Sequence, residues 1–330
     1  MQRRCFWSIV TILVAVTASS ARGETLLYVS KYDNTIAAFD VSLPTAAAIA
    51  ASQRTIASGF ENQLGGFDRI QGIDVGPDGN IYAVNRGASN TGAGAIERVT
   101  PQGVVTRFAA GLGNVWGIAF GPDGNLYVPD ANSSSANASS ISRIAPNGAV
   151  TGFASGLPLS GPYGMAFDNA GTLYVSNSFD TTIVQVATNG TVSSFYPNQS
   201  SVLYTPKGLA WGPSGLYVAN SGYSNVVLVN TVSQLASVFA SSAGTTNPID
   251  VAFDDLGNLF VSNYFDNTIS KYDANGNLLL SFSTGTYAPL WLALDLRAVP
   301  EIDPSSAGSV LALSAGALAL LERRRRSAAV

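Results

Sequence analysis

Short alternating runs of apolar and polar residues fill the chain from about residue 25 to 296, broken at near-regular intervals by turns rich in Gly, Asp and Asn. Alternation of period two over four to eight residues predicts half-buried strands, and Asp-Gly or Asn-Gly between two such runs predicts a tight hairpin. One phrase recurs five times. It reads GIDVGPDGNIYAVN from Gly72 to Asn85, GIAFGPDGNLYVPD from Gly117 to Asp130 and GMAFDNAGTLYVSN from Gly164 to Asn177. It returns as GLAWGPSGLYVAN from Gly208 to Asn220, one residue shorter, and as DVAFDDLGNLFVSN from Asp250 to Asn263. The starts are 45, 47, 44 and 42 residues apart. After each hairpin a third run follows (95–99, 140–144, 182–186, 225–229 and 268–272), then a glycine turn and a fourth run such as 104–108.

Four antiparallel strands in about 45 residues describe one blade of a β-propeller. The ends of the repeat region complete the count. Leu26 to Asp40 matches a second and third strand with no first strand before it, whereas Pro289 to Asp295 matches a first strand with no second after it. The two pieces predict one shared blade that closes the ring and leaves no strand edge open. The expected fold is therefore all-β: a six-bladed propeller of four-stranded antiparallel blades over residues 24–298, with helix only at the two termini.

The termini read as addresses. Residues 1–23 carry Arg3 and Arg4, an apolar run from Phe6 to Val16 and small residues to Gly23, the order of a secretory signal peptide. Cys5, the single cysteine, lies within it, so the expected mature chain has no disulfide. At the other end, Pro300-Glu301-Ile302-Asp303-Pro304 precedes an apolar stretch over 307–321, then Glu322 and the cluster Arg323, Arg324, Arg325, Arg326. A marginally spanning helix with a basic stop places those arginines on the cytoplasmic side. This order resembles the PEP-CTERM sorting tail, with Ile302 where that family has its second proline. The resemblance implies recognition by an exosortase-type transpeptidase, transient anchoring in the inner membrane through the uncleaved tail of residues 299–330, and delivery to the cell surface or an extracellular polysaccharide matrix. The phrases of the ring in turn resemble NHL repeats, and similar rings occur in the SMP-30/gluconolactonase group and in streptogramin lyases.

Composition narrows the chemistry. Charged residues are 12% of the chain, and there is no histidine, which removes Ser–His triads, His-ligated zinc and imidazole proton shuttles. Streptogramin lyases imply a catalytic histidine that this chain lacks. Seven of the 17 basic residues (Arg3, Arg4, Arg22 and Arg323 to Arg326) and three of the 21 acidic ones (Glu301, Asp303, Glu322) lie in the termini, leaving residues 24–300 near −8. Such a balance disfavours anionic partners, nucleic acid among them.

The repeat sets two rings of residues around a channel, one after the second strands (Ser30, Asn85, Asp130, Asn177, Asn220, Asn263) and one before the inner strands (Gln71, Trp116, Tyr163, Lys207, Ile249, Leu290). Asn85, Asp130, Asn177, Asn220, Asn263, Lys207, Trp116 and Tyr163 are the candidate ligand-binding face. The bland alternative is that Asn and Asp close each second strand by bonding backbone. Asp74 stands where other inner strands have alanine and Asp250 replaces a repeat glycine. With Asp130 these are the candidate metal ligands, oxygen donors suited to calcium or magnesium; no other cofactor is expected. The expected function is an exported, non-catalytic platform binding protein or polysaccharide. The alternative is a divalent-metal-dependent lactonase, which the SMP-30/gluconolactonase resemblance implies.

Overall fold

The computed structural model describes residues 24–58, 60, 70–86, 94–131, 139–196, 202–241 and 244–296. The expected signal peptide and the sorting tail from Pro300 through the arginine cluster lie outside them. The described chain forms six four-stranded antiparallel sheets. Their inner strands are Ile70–Val75, Ala119–Phe120, Pro162–Phe167, Pro206–Gly212, Pro248–Phe253 and Pro289–Asp295. Each lies beside the next, and Pro289–Asp295 returns to Ile70–Val75, so the ring is closed. It is a six-bladed propeller.

Closure is made as the two half-blades require. Strand Leu26–Lys31 pairs antiparallel with Pro289–Asp295 on one side and Ile36–Asp40 on the other, with Tyr28 opposite Ala293 and Leu26 opposite Asp295. Third strands fall at Ser140–Ile144, Thr182–Val186, Asn225–Val229 and Thr268–Tyr272, as the alternation predicts.

Aromatic rings join the blades. Tyr82 meets Phe108 of its own blade and Phe120 of the next edge-on, with centroids 4.9 and 5.0 Å away. Tyr127 repeats this with Phe153 and Phe167, and Tyr217 with Phe239 and Phe253. The far-face turns are closed by their own aspartates: Asp78 accepts from the backbone N–H and side-chain amide of Asn80 and from the Tyr82 hydroxyl. Asp123 does the same with Asn125 and Tyr127.

Two elements depart from the expectation of helix only at the termini. Ala46–Ala51 is a short α-helix between the third and fourth strands of the closing blade, and Ser221–Tyr223 is a 3-10 turn. The alanine-rich run has high helix propensity and no period-two pattern. Thr45 caps it by accepting the Ala48 N–H at 3.2 Å, and Ile49 is buried with Phe39 and Phe282.

Candidate functional site: the channel mouth

Inner strands begin, and second strands end, on one face of the ring, as the pairs Pro162–Asn177, Pro206–Asn220 and Pro248–Asn263 show. The channel mouth lies there. The asparagines predicted for it are buried, and the amides of Asn177, Asn220 and Asn263 are satisfied on both sides inside the protein, whereas the Asn85 Oδ1 has no partner among the described residues. Asn177 accepts the Ser160 N–H at 3.1 Å and donates to the Pro158 carbonyl at 2.7 Å and the Thr182 hydroxyl at 2.9 Å. Asn220 accepts from Tyr204 N–H and donates to Val202 O and Asn225 Oδ1. Asn263 accepts from Thr246 N–H and donates to Gly244 O, Thr268 and Ser270. Asp130 takes the acceptor half of this role from Asn114 N–H at 2.8 Å. Each side chain thus fastens the loop that enters its own blade. Asn85 is likewise buried and points its amide at Glu97, 3.4 Å away.

The sixth place in this ring belongs to Lys31, a correction to Ser30. Lys31 lies opposite Pro289 as Asn263 lies opposite Pro248, and Ser30 opposite Ile36 as Ser262 opposite Ile269. Ser30 instead accepts the Trp291 N–H, as Ser176 accepts that of Gly164 and Ser262 that of Asp250. A lysine thus stands where the repeat has Asn or Asp.

Trp116, Tyr163 and Lys207 do meet at the mouth. Trp116 stacks on Tyr163 with centroids 5.0 Å apart, and Tyr163 stacks on Trp291 at 5.5 Å. The Arg86 guanidinium lies 3.8 Å over Trp116 and donates to Asn114 Oδ1, while Lys207 Nζ is 5.9 Å from the Tyr163 ring. Trp291 occupies a repeat glycine position, and its indole reaches across to Gly117, where a Cβ would meet it at 2.7 Å. The stack therefore closes the channel beneath the mouth. Lys207 is desolvated there, which pulls its ammonium down to about 8.

The candidate metal ligands divide. Asp74 and Asp250 face each other within electrostatic reach, while Asp130 serves its own loop. Asp74 accepts the Val75 and Phe120 N–H groups, and Asp250 that of Leu292, so both carboxyls bolt neighbouring inner strands together. Burial raises Asp74 to about 6 against the lowering effect of those bonds, and it raises Asp250 well above the usual carboxylate range. A divalent cation here would have to displace backbone donors. Among the described residues no group of three or more Asp, Glu or Cys converges.

Sequence reasoning missed Lys31, Arg86, Trp291 and a further feature of this face. The exposed aromatic side chains among the described residues are Tyr32, Phe179, Tyr204, Tyr223, Phe265 and Tyr287. All six lie in loops on the mouth side. Tyr32, Phe179 and Phe265 hold one position of the repeat, two residues before a residue with positive φ (Asn34, Thr181, Asn267), and Tyr223 lies one place later, directly before Ser224; the shared register of the first three was readable in the chain.

No protein family profile matches this sequence, and no curated protein does. Solved structures do. The chain is similar to one in a nidogen/laminin complex, at 17% identity over 82% of this chain and 98% of that one, with a TM-score of 0.65. It is also similar to a streptogramin B lyase (16% identity, 79% and 74% covered, TM-score 0.52). A catalytically inactive virginiamycin B lyase from Staphylococcus aureus with quinupristin matches at 18%, 80% and 86% covered, TM-score 0.55. At these identities the likeness is one of fold.

Proposed function

We propose that this protein is an exported, non-catalytic binding platform that holds a protein or polysaccharide partner on the face bearing the channel mouth. One observation carries the reading: six exposed aromatic rings gathered on a single face. Exposed apolar area of this kind marks interaction surfaces, where aromatic residues are enriched. The first-named structural neighbour was solved as a complex with a protein partner, which supports a macromolecular ligand for a ring of this shape. Export rests on the signal-like residues 1–23. Delivery to the surface or matrix by an exosortase rests on the Pro300-Glu301 and Arg323 to Arg326 pattern.

Two measurements test it. Full-length chain, with and without residues 299–330, is followed through membrane, surface and matrix fractions; the tailless form should be lost from the surface and matrix. Residues 24–298 are then incubated with matrix from cells lacking the protein. Wild type should be retained and a Phe179→Ser/Phe265→Ser variant should not. Equal retention of a folded variant refutes the platform.

A further inference from the structure

The cations of the ring are not distributed evenly with respect to carboxylates. Arg54 is paired with Glu24, Arg107 with Glu97 and Lys271 with Asp254, at 2.9, 2.8 and 3.1 Å. Lys31 and Lys207 have no carboxylate within ion-pair distance among the described residues. Both are at the mouth. Lys31 is 5% exposed, with its ammonium 6.0 Å from the Tyr287 ring, and Lys207 lies against Tyr163. The Trp291 Nε1–H, on the ring stacked against Tyr163, is buried with no hydrogen-bond partner among the described residues. Lysine ammonium and indole N–H are donors only. The centre of this face therefore offers donors and positive charge within a ring whose overall charge is negative.

Its surroundings have a different chemistry. Each lysine stands at the end of a strand whose adjoining loop carries an exposed tyrosine, Tyr32 after Lys31 and Tyr204 before Lys207, and Tyr204 packs on Tyr223 at 5.5 Å. Three of the exposed rings are followed directly by a carboxylate: Tyr32 by Asp33, Phe179 by Asp180 and Phe265 by Asp266. A flat apolar ring edged by an acceptor complements a pyranose, which has a C–H face and a hydroxyl rim. An acidic peptide offers no such face, and a run of like-charged residues would meet the rim aspartates. A chain of mostly neutral sugars with spaced carboxylates suits both the rim and the centre.

We propose that the channel mouth is a carboxylate site served by Lys207 and Lys31, and that its ligand is a polysaccharide containing uronic acid whose neutral sugars lie on the surrounding rings. The site deepens the platform reading and rests on it. A carboxylate at Lys207 supplies the counter-charge that its desolvated ammonium lacks, and charge-assisted bonds of this kind are the stronger class.

The probe is a hexasaccharide alternating glucuronate with N-acetylglucosamine, compared with its carboxyl-reduced form and with tetraglutamate, by calorimetry and by fluorescence of Trp116 and Trp291. The acidic sugar should bind at least tenfold tighter than the reduced one. Lys207→Met and Lys31→Met should each remove at least tenfold, and Lys207→Arg should retain binding, which guards against a folding defect. Tyr223→Ser should weaken acidic and reduced sugars alike. Equal binding of the two sugars, or full binding by folded Lys207→Met, overturns the site. Tetraglutamate binding as tightly as the sugar overturns the glycan assignment. Retention of matrix by the Phe179→Ser/Phe265→Ser variant, with hexasaccharide binding intact, counts against the platform alone.

Discussion

Replacing Asn220 by alanine separates a ligand ring from a structural one. The side chain is fully buried and makes three bonds, to Tyr204 N–H at 2.7 Å, Val202 O at 2.9 Å and Asn225 Oδ1 at 2.7 Å. A buried hydrogen bond contributes about 1 kcal/mol net, and stranding its partner costs about 1–3 kcal/mol. Asn225 and Val202 are partly exposed and regain water, so the loss should be about 2–4 kcal/mol. For a ring of this size that lowers Tm by roughly 4–16 °C, at about 2–4 °C per kcal/mol. Thermal melting followed by circular dichroism measures it, and hydrogen exchange at the Tyr204 amide locates it. Asn220→Asp keeps the acceptor, as Asp130 does naturally, and should fall between. A melting loss under about 2 °C with Tyr204 still protected would show that the loop does not depend on this amide.

Other consequences are as direct. Asp74 holds its proton to about pH 6 in the fold, against 3.8 for the ordinary group. Its contribution is therefore fully present below pH 4 and is lost as pH rises through 6, about 3 kcal/mol in all. Urea unfolding at pH 4.5 and 7.5 should show that slope reduced in Asp74→Asn, and an unchanged slope refutes it. Gly117→Ala places a methyl 2.6 Å from Tyr163 O and 2.7 Å from the Trp291 ring; overpacking costs about 1–3 kcal/mol, and near-ultraviolet dichroism should report the disturbed stack. Calcium or magnesium should leave Tm within about 1 °C, because Asp74 and Asp250 already accept backbone bonds; a larger rise, abolished in Asp250→Asn, would establish a cation site. Deleting residues 289–296 should abolish cooperative melting, since Leu26–Lys31 then loses its inner neighbour.

Strand order was legible because each blade repeats both its alternation and its turn residues, and the divided blade showed itself by two complementary fragments. The one slip of register, Ser30 for Lys31, has a physical origin. Leu26 and Leu27 both suit the first apolar place, and only pairing to Pro289, far away in the chain, selects between them. The asparagines were visible as a ring, but their partners lie in loops 16 to 19 residues upstream that carry no pattern. Trp291 was hidden for the opposite reason: in an apolar strand a tryptophan reads as core, and its contact with Gly117 exists only once the ring has closed. The helix at Ala46–Ala51 was overlooked because it breaks a repeat rather than forming one.

Because Leu26 sits opposite Asp295, the polypeptide enters and leaves the wheel at a single point on its underside, away from the lysines and the exposed rings. A label joined at either of these two residues would therefore lie on the opposite side from Lys31 and Lys207 and leave that face unobstructed.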